Sequence, residues 1–186
     1  MTPLAQVIRP HIEPGRRVIA VSDVHGNLPF LKGVLEKVHF SPSDVLIIVG
    51  DLLEKGRYSL DTLRYVMELQ KSHTVYTLCG NCDYIDCVFL KGGTSGGSFS
   101  IQINRRYGSP VKYRDIDQEV WPILSEFWRE RSVLIQMAME AGLPFPKGPE
   151  ELPALRCALR ERFPAETEFL LSMPHILESG NFIFVH

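Results

Sequence analysis

The first eighty residues alternate between short apolar runs and amphipathic stretches. Residues 17–22, 44–49 and 74–79 each contain a short apolar run, which predicts three strands. The second is nearly all aliphatic, as expected of a strand buried on both faces. Between them, apolar side chains recur at helical spacing, and these are Leu31, Val34, Leu35 and Val38, then Leu60, Leu63, Val66 and Met67. Because each strand–helix repeat takes about thirty residues, we predict an α/β fold with a parallel sheet.

Local signals mark where the predicted elements begin. Asn27 followed by Pro29 is typical of a helix start, with a capping side chain and a proline in the first turn. Residues 41–43, Ser-Pro-Ser, end this helical stretch. The proline-containing lead-in at residues 1–16 is predicted to be a loose arm or a short helix.

The pattern changes after residue 84. Residues 120–141 predict a long amphipathic helical region, residues 144–149 a proline-rich break, and residues 151–163 and 165–171 two more helices. We interpret residues 85–172, approximately, as a helical insertion lying over the sheet. The glycine-rich residues 91–98 favour a mobile surface loop over a phosphate cradle, because the lysine-serine ending of a nucleotide P-loop is absent.

The last apolar run, residues 181–186, predicts a further strand that ends on His186. A strand stopping at a polar residue is unusual, and we expect the chain to be a piece of a longer protein. The 186 residues are expected to form a single domain.

Composition narrows the class of protein. Hydrophobic residues make up 45% and charged residues 23%, as in ordinary globular proteins, and a net charge of -2 argues against a broad basic face for nucleic acid. No apolar run is long enough for a membrane helix, and residues 1–14 lack a secretory pattern. The four cysteines are too few for a fold stabilised by disulfides, which favours a location in the reducing cytoplasm.

Cys79 and Cys82 form a C-x-x-C pair, which elsewhere is a redox pair or half a zinc site. No second pair completes zinc coordination. Cys79 also closes a predicted strand, which favours a packing role for it.

Polar side chains with metal-ligand chemistry follow the predicted strands. Asp23 and His25 come after the first, Asp51 after the second, Asn81 after the third and His186 after the last. A single such aspartate is most often a helix cap, and Asn81 alone is typical of a turn. The carboxyl ends of parallel strands meet at one edge, so we expect these residues to share a crevice.

This combination suits two metal ions about 3.5–4 Å apart, which clamp a phosphate and activate water. Asp51, at the end of the central strand, is well placed to bridge the ions. Asp23 and His25 would complete one site, while Asn81 and His186 would begin the second. Mixed nitrogen and oxygen ligation favours manganese, iron or zinc over calcium.

Four ordered motifs carry a family resemblance. Asp-Val-His-Gly-Asn at 23–27, Gly-Asp-Leu-Leu-Glu-Lys-Gly at 50–56, Gly-Asn-Cys-Asp at 80–83 and Phe-Val-His at 184–186 resemble the calcineurin-like metallophosphoesterases. The second and last motifs are most similar to the serine/threonine phosphoprotein phosphatase branch, with its bacterial and diadenosine-tetraphosphatase-like members. The resemblance implies an α/β fold whose sheets are flanked by helices, with its C-terminal part missing. It also implies the five ligand assignments made above.

The resemblance also implies roles around the ligands. Lys55 replaces a phosphate-contacting arginine, and Arg57 is near enough to compensate. Cys82 stands where the family has the histidine that protonates the leaving group, with Glu54 and Asp83 as acidic neighbours that orient it.

Two family features have no counterpart in this sequence. Tyr84, Ile85 and Asp86 follow the third motif, where the branch has a second phosphate-contacting arginine. The final metal histidine of a later Gly-His motif is also missing, which implies that the chain as given holds the second metal poorly. The Gly-Asn-Cys-Asp motif is shared with small phosphodiesterases of the superfamily, which favours a different leaving group over an inactive enzyme.

We therefore expect a metal-dependent hydrolase that cleaves a phosphomonoester, in particular a phosphoprotein, by attack of a metal-bound hydroxide. The alternatives are a phosphodiesterase or dinucleoside polyphosphate hydrolase and, from another class, a non-catalytic metal- or phosphate-binding module. The expected partner is a phosphorylated substrate, with neither membrane nor nucleic acid involved.

Overall fold

The computed structural model describes residues 5–92 and 116–186. Residues 93–98 of the glycine-rich stretch fall outside these ranges, so its predicted loop is not tested. Within the described ranges, no helix combines the length and apolar character required to cross a bilayer.

The predicted parallel sheet is present. Its strands are β2 (Val18–Val21), β3 (Val45–Val49) and β4 (Thr74–Leu78), with β3 in the centre. Val18 pairs with Val45 and Val45 with Thr74. The first four residues of β3 are buried, since the strand is covered on both faces, as its aliphatic sequence predicts.

Two helices connect these strands. α1 (Leu28–Lys37) begins at Asn27, whose side chain accepts a hydrogen bond from the Phe30 backbone N–H at 3.3 Å. α2 (Ser59–Leu69) buries the predicted apolar stripe, including Leu63 and Val66. Both helices therefore follow the spacing of their apolar residues.

A second sheet contains β1 (Val7–Ile8), β5 (Ile176–Ser179) and β6 (Phe182–Val185), in the order β1-β5-β6. Residues 1–16 were expected to be a loose arm or a short helix. This is wrong for residues 7 and 8, which form β1 and pair in parallel with β5. β5 was not predicted because it is short and lacks a continuous apolar run. It forms a hairpin with β6, whose strand character is confirmed.

The helical region begins with α3 (Asn81–Lys91), earlier than the predicted residue 85. α4 (Ile116–Pro122) is followed by a π-helical turn at Ile123–Trp128, a 3₁₀ turn at Arg129–Arg131 and α5 (Val133–Glu140). A 3₁₀ turn at Pro149–Glu151 then leads into α6 (Leu152–Arg162) and α7 (Pro164–Ser172).

Residues 120–140 are therefore helical, as predicted, except at Ser132, but they form several short helical segments and not one continuous helix. Pro122 lacks the backbone N–H that a regular helix needs, and Arg129 has a φ of 46°, which interrupts the helix. Ser132 then caps α5, its side chain accepting the Leu134 N–H at 3.2 Å. Local effects of proline and of the Ser132 cap therefore divide a stretch that its amphipathic pattern alone would allow to form one helix.

Charged side chains join the helices to one another. Arg64 on α2 donates to Glu140 at 2.7 Å and to Glu166 at 2.9 Å, joining α2, α5 and α7. Arg156 on α6 pairs with Asp117 on α4. The Val133 N–H on α5 donates to Glu54, which connects the helical region to the loop that follows β3.

Candidate metal centre

Backbone geometry turns the loops after β2 and β3 toward each other. Asp23, His25 and Asp51 all have positive φ values, of 55°, 49° and 50°. Asp and His are among the residues that tolerate this region best. The His25 N–H donates to the Asp51 carbonyl at 2.9 Å, and the Asp23 N–H donates to the Gly50 carbonyl at 3.2 Å. These bonds fix the two loops side by side.

The five predicted ligands converge at this edge. His25 Nε2 lies 3.6 Å from both Asp23 Oδ1 and Asp51 Oδ2. His186 Nε2 lies 3.6 Å from Asp51 Oδ1 and 3.1 Å from Asn81 Oδ1. Asp51, almost fully buried, therefore presents one oxygen to each imidazole, as a bridging carboxylate must.

Both imidazoles are oriented through their other nitrogen. His25 Nδ1 lies 3.3 Å from the Leu53 carbonyl oxygen, and His186 Nδ1 lies 2.9 Å from the Val49 carbonyl oxygen. Because a carbonyl only accepts, each Nδ1–H donates to it, and each Nε2 is turned toward the carboxylates.

The donor set fits a bound cation. Each Nε2 lies 3.6 Å from a carboxylate oxygen of Asp51, and His186 Nε2 also lies 3.1 Å from the Asn81 amide oxygen, so donor atoms of several side chains face one small space. Ligand atoms about 2.1 Å from one zinc ion are separated by roughly 3.0–3.4 Å, close to the spacings found. The fit supports divalent metal binding without identifying the metal.

Asp83 holds the two ligand-bearing loops together. Its buried carboxylate accepts the N–H groups of Gly80 at 2.9 Å, Leu53 at 3.0 Å and Leu52 at 3.3 Å. Burial raises the pKa of Asp83 to about 6, although these bonds oppose the shift. The predicted role of Asp83 in orienting the catalytic acid stays a prediction. The observed contacts of Asp83 instead position the backbone of residues 52, 53 and 80.

Glu54 contacts the helical region. Its Oε1 accepts the Val133 N–H at 2.7 Å, and the side chain is fully buried next to Asp86. Burial raises the pKa of Glu54 to about 8. Its predicted role in orienting the leaving-group acid is likewise untested. The sequence motif did not indicate that Asp86 would be its buried neighbour.

Cys82 lies within the ligand cluster. Its Sγ, His25 Nε2 and an Asp51 carboxylate oxygen all lie within 4.8 Å of one another. Burial, followed by the Asp51 carboxylate, raises the pKa of the Cys82 thiol to about 12. The predicted role of Cys82 as the leaving-group acid stays a prediction.

The family model for calcineurin-like phosphoesterases matches residues 16–156. The chain belongs to this family. The motif-based recognition is therefore confirmed at the level of the family, and the α/β architecture agrees with it.

Curated relatives of this phosphoesterase include symmetrical bis(5'-nucleosyl)-tetraphosphatases. The protein of that name from Shewanella loihica is 32% identical over 126 residues, 67% of this chain and 43% of the relative. The one from Pseudomonas syringae pv. syringae is 46% identical over 67 residues, 36% of this chain and 22% of the relative. The chain therefore matches less than half the length of either relative.

A crystal structure of a candidate diadenosine tetraphosphatase superposes on this phosphoesterase with a TM-score of 0.53. The match covers 98% of this chain and 54% of that one, at 20% identity. Such a likeness shows the fold alone.

The two predicted phosphate-binding residues are placed differently. Lys55 Nζ lies 3.2 Å from His25 Nε2, beside the ligand cluster of this phosphoesterase, and the residue is exposed. Arg57 is also exposed, and its carbonyl accepts a hydrogen bond from Gln136 Nε2 at 3.2 Å. The structure thus brings Lys55 to the cluster and fixes the backbone of Arg57 against the helical layer.

Gly80 makes room for Asp51. A Cβ at position 80 would lie 2.2 Å from both the backbone nitrogen and Oδ1 of Asp51, so Gly80→Ala is expected to displace that carboxylate. Metal affinity should fall at least about tenfold, as for loss of a supporting contact. Isothermal titration with Zn²⁺ measures this effect.

Gly33→Ala is the matched control. Gly33 lies at an exposed position of α1, and a Cβ added there would have no other atom within 4 Å. This change should leave metal affinity intact and stabilise the helix by about 0.5–1 kcal/mol. Equal zinc affinities for the two variants would contradict the packing argument.

Proposed function

We propose that this chain forms the two-metal centre of a phosphoester hydrolase. The observation that carries the proposal is the position of Asp51, with one carboxylate oxygen toward His25 Nε2 and the other toward His186 Nε2, each at 3.6 Å. A bridging carboxylate between two imidazoles suits a pair of ions that share one substrate phosphate.

Each ligand has a defined place in the proposal. Asp23 and His25 would hold one ion, Asn81 and His186 would hold the other, and both would share Asp51. The mixed nitrogen and oxygen donors favour divalent manganese, iron or zinc. When bound, they would polarise the phosphoryl oxygens and lower the pKa of a coordinated water.

Other side chains bind the substrate and preserve the geometry. Lys55, exposed and 3.2 Å from His25 Nε2, is placed to neutralise a phosphoryl oxygen. Asp83 fixes the backbone of the loops that carry Asp51 and Asn81, so the ligands need little reorganisation on binding.

We propose a dinucleoside polyphosphate as the substrate class. The support comes from the curated relatives, which are named as symmetrical bis(5'-nucleosyl)-tetraphosphatases. A phosphomonoester or phosphoprotein, favoured by the motifs, is the competing class. Both reactions place a water in line with a scissile P–O bond, so one metal centre serves either.

The test is a substrate panel with and without added Mn²⁺ or Zn²⁺. Diadenosine tetraphosphate, p-nitrophenyl phosphate, its bis ester and a phosphoserine peptide are compared at equal concentration. We expect metal-dependent hydrolysis that is fastest for the dinucleotide. Faster turnover of the monoester or peptide would contradict the substrate class, while metal binding without hydrolysis would favour the binding module.

A further inference from the structure

We propose that Cys82 Sγ is a direct ligand of the ion held by His25 and Asp51, which makes this half of the centre selective for zinc over manganese. The inference rests on the proposed function, because it assumes that ions bind between the predicted ligands. It adds a sulfur ligand to a set made only of nitrogen and oxygen.

The first argument is the geometry of three ligand atoms. Cys82 Sγ, His25 Nε2 and an Asp51 carboxylate oxygen lie within 4.8 Å of one another. Zinc binds sulfur at about 2.3 Å and nitrogen at about 2.0–2.1 Å, so ligand atoms around one tetrahedral ion are roughly 3.3–3.6 Å apart. A contraction of at most roughly 1–1.5 Å in the separations brings all three atoms within reach of one ion.

The backbone holds Cys82 in this position. The Cys82 N–H donates to Asp51 Oδ1 at 2.9 Å, at the start of α3. The residue is 3% exposed, so the sulfur is enclosed beside the carboxylate. Asp51 therefore fixes the distance between the cysteine and the ion that it would share.

Asn81 supplies an independent observation. Its Nδ2 donates to Cys82 Sγ at 3.4 Å, while its Oδ1 lies 3.1 Å from His186 Nε2. The sulfur accepts a hydrogen bond in this contact, and the amide oxygen is turned toward His186. In this single orientation, the Asn81 amide nitrogen contacts the proposed sulfur ligand, and the amide oxygen is itself available as a ligand for the other ion.

Two overlapping groups of donor atoms share Asp51, one with His25 and Cys82 and the other with Asp23 and His186. Asp23 Oδ1 also lies 3.6 Å from His25 Nε2, so Asp23 remains available to the ion that His25 and Cys82 would share. When the sulfur binds an ion, its proton leaves to solvent and a metal–sulfur bond forms. Thiolate ligands favour zinc, whereas manganese favours oxygen, so the two halves differ in preference.

Cobalt(II) titration of the whole chain tests this inference, because a cobalt–thiolate bond gives a near-ultraviolet charge-transfer band. We expect the wild-type chain to show the band at low cobalt occupancy. The matched variants are Cys82→Ser and Cys157→Ser, the latter at an exposed cysteine. Cys82→Ser should lose the band while keeping visible cobalt absorption, and Cys157→Ser should keep both.

Metal competition gives a second readout. In Cys82→Ser, zinc affinity should fall at least about tenfold, and manganese affinity should change much less. Cobalt binding to wild-type protein without a thiolate band overturns this inference alone. Absence of any cobalt binding overturns the proposed function as well.

Discussion

Asp51→Asn is expected to abolish metal-dependent hydrolysis and to weaken metal binding more than any other single change. Asparagine keeps the oxygen that accepts the Cys82 N–H but loses the negative charge shared by the two ions. Loss of a residue that only supports a metal ligand lowers metal affinity about 10–100-fold. Loss of the bridging ligand itself should therefore lower metal affinity by more than this.

The measurement is metal content after dialysis, together with the rate of diadenosine tetraphosphate hydrolysis. Asp61→Asn, at an exposed position in the first turn of α2, is the matched control and should behave as wild type. Turnover that survives in Asp51→Asn would show that Asp51 is not the bridging residue.

Glu54→Gln is expected to flatten the pH dependence of stability. Glu54 and Asp86 are fully buried neighbours whose carboxyl groups interact with each other. Burial raises the pKa of Glu54 from 4.5 to about 8, so the native state holds more protons than the unfolded state between these values. The free energy of unfolding then falls as pH rises through this window, by up to about 1.4 kcal/mol per pH unit.

Glutamine cannot ionise, yet its amide can accept the Val133 N–H and donate to Asp86. Urea unfolding at pH 5, 6, 7 and 8, with a metal chelator present, measures the effect. The wild type should lose stability more steeply than Glu54→Gln between pH 5 and 8. Glu36→Gln on the exposed face of α1 is the control and should follow the wild type. Parallel curves for Glu54→Gln and the wild type would contradict the buried-proton account.

Strands β2 to β4 were predictable because each contains a short run rich in apolar residues, and β3 is apolar on both faces, which few other environments require. β1 and β5 were not, since pairing between residues 7–8 and 176–177 depends on contacts distant in sequence. Breaks in the helical region came from Pro122 and from the left-handed conformation of Arg129, which act locally against a correct amphipathic pattern.

The ligand set was predictable because parallel strands place their following residues at one edge. The sequence could not show that Cys82 Sγ approaches His25 and Asp51, because this depends on the tight contact between Gly80 and Asp51. It also gave no sign that Glu54 would bond to Val133, seventy-nine residues away. Both details are set by packing between segments.

Anomalous diffraction from crystals soaked in Zn²⁺ or Mn²⁺ tests the central claim most directly. The structure predicts two metal peaks about 3.5–4 Å apart, one on each side of the Asp51 carboxylate, with His25 and His186 on opposite ions. Peaks absent from this position, or a single ion bound away from Asp51, would contradict the account.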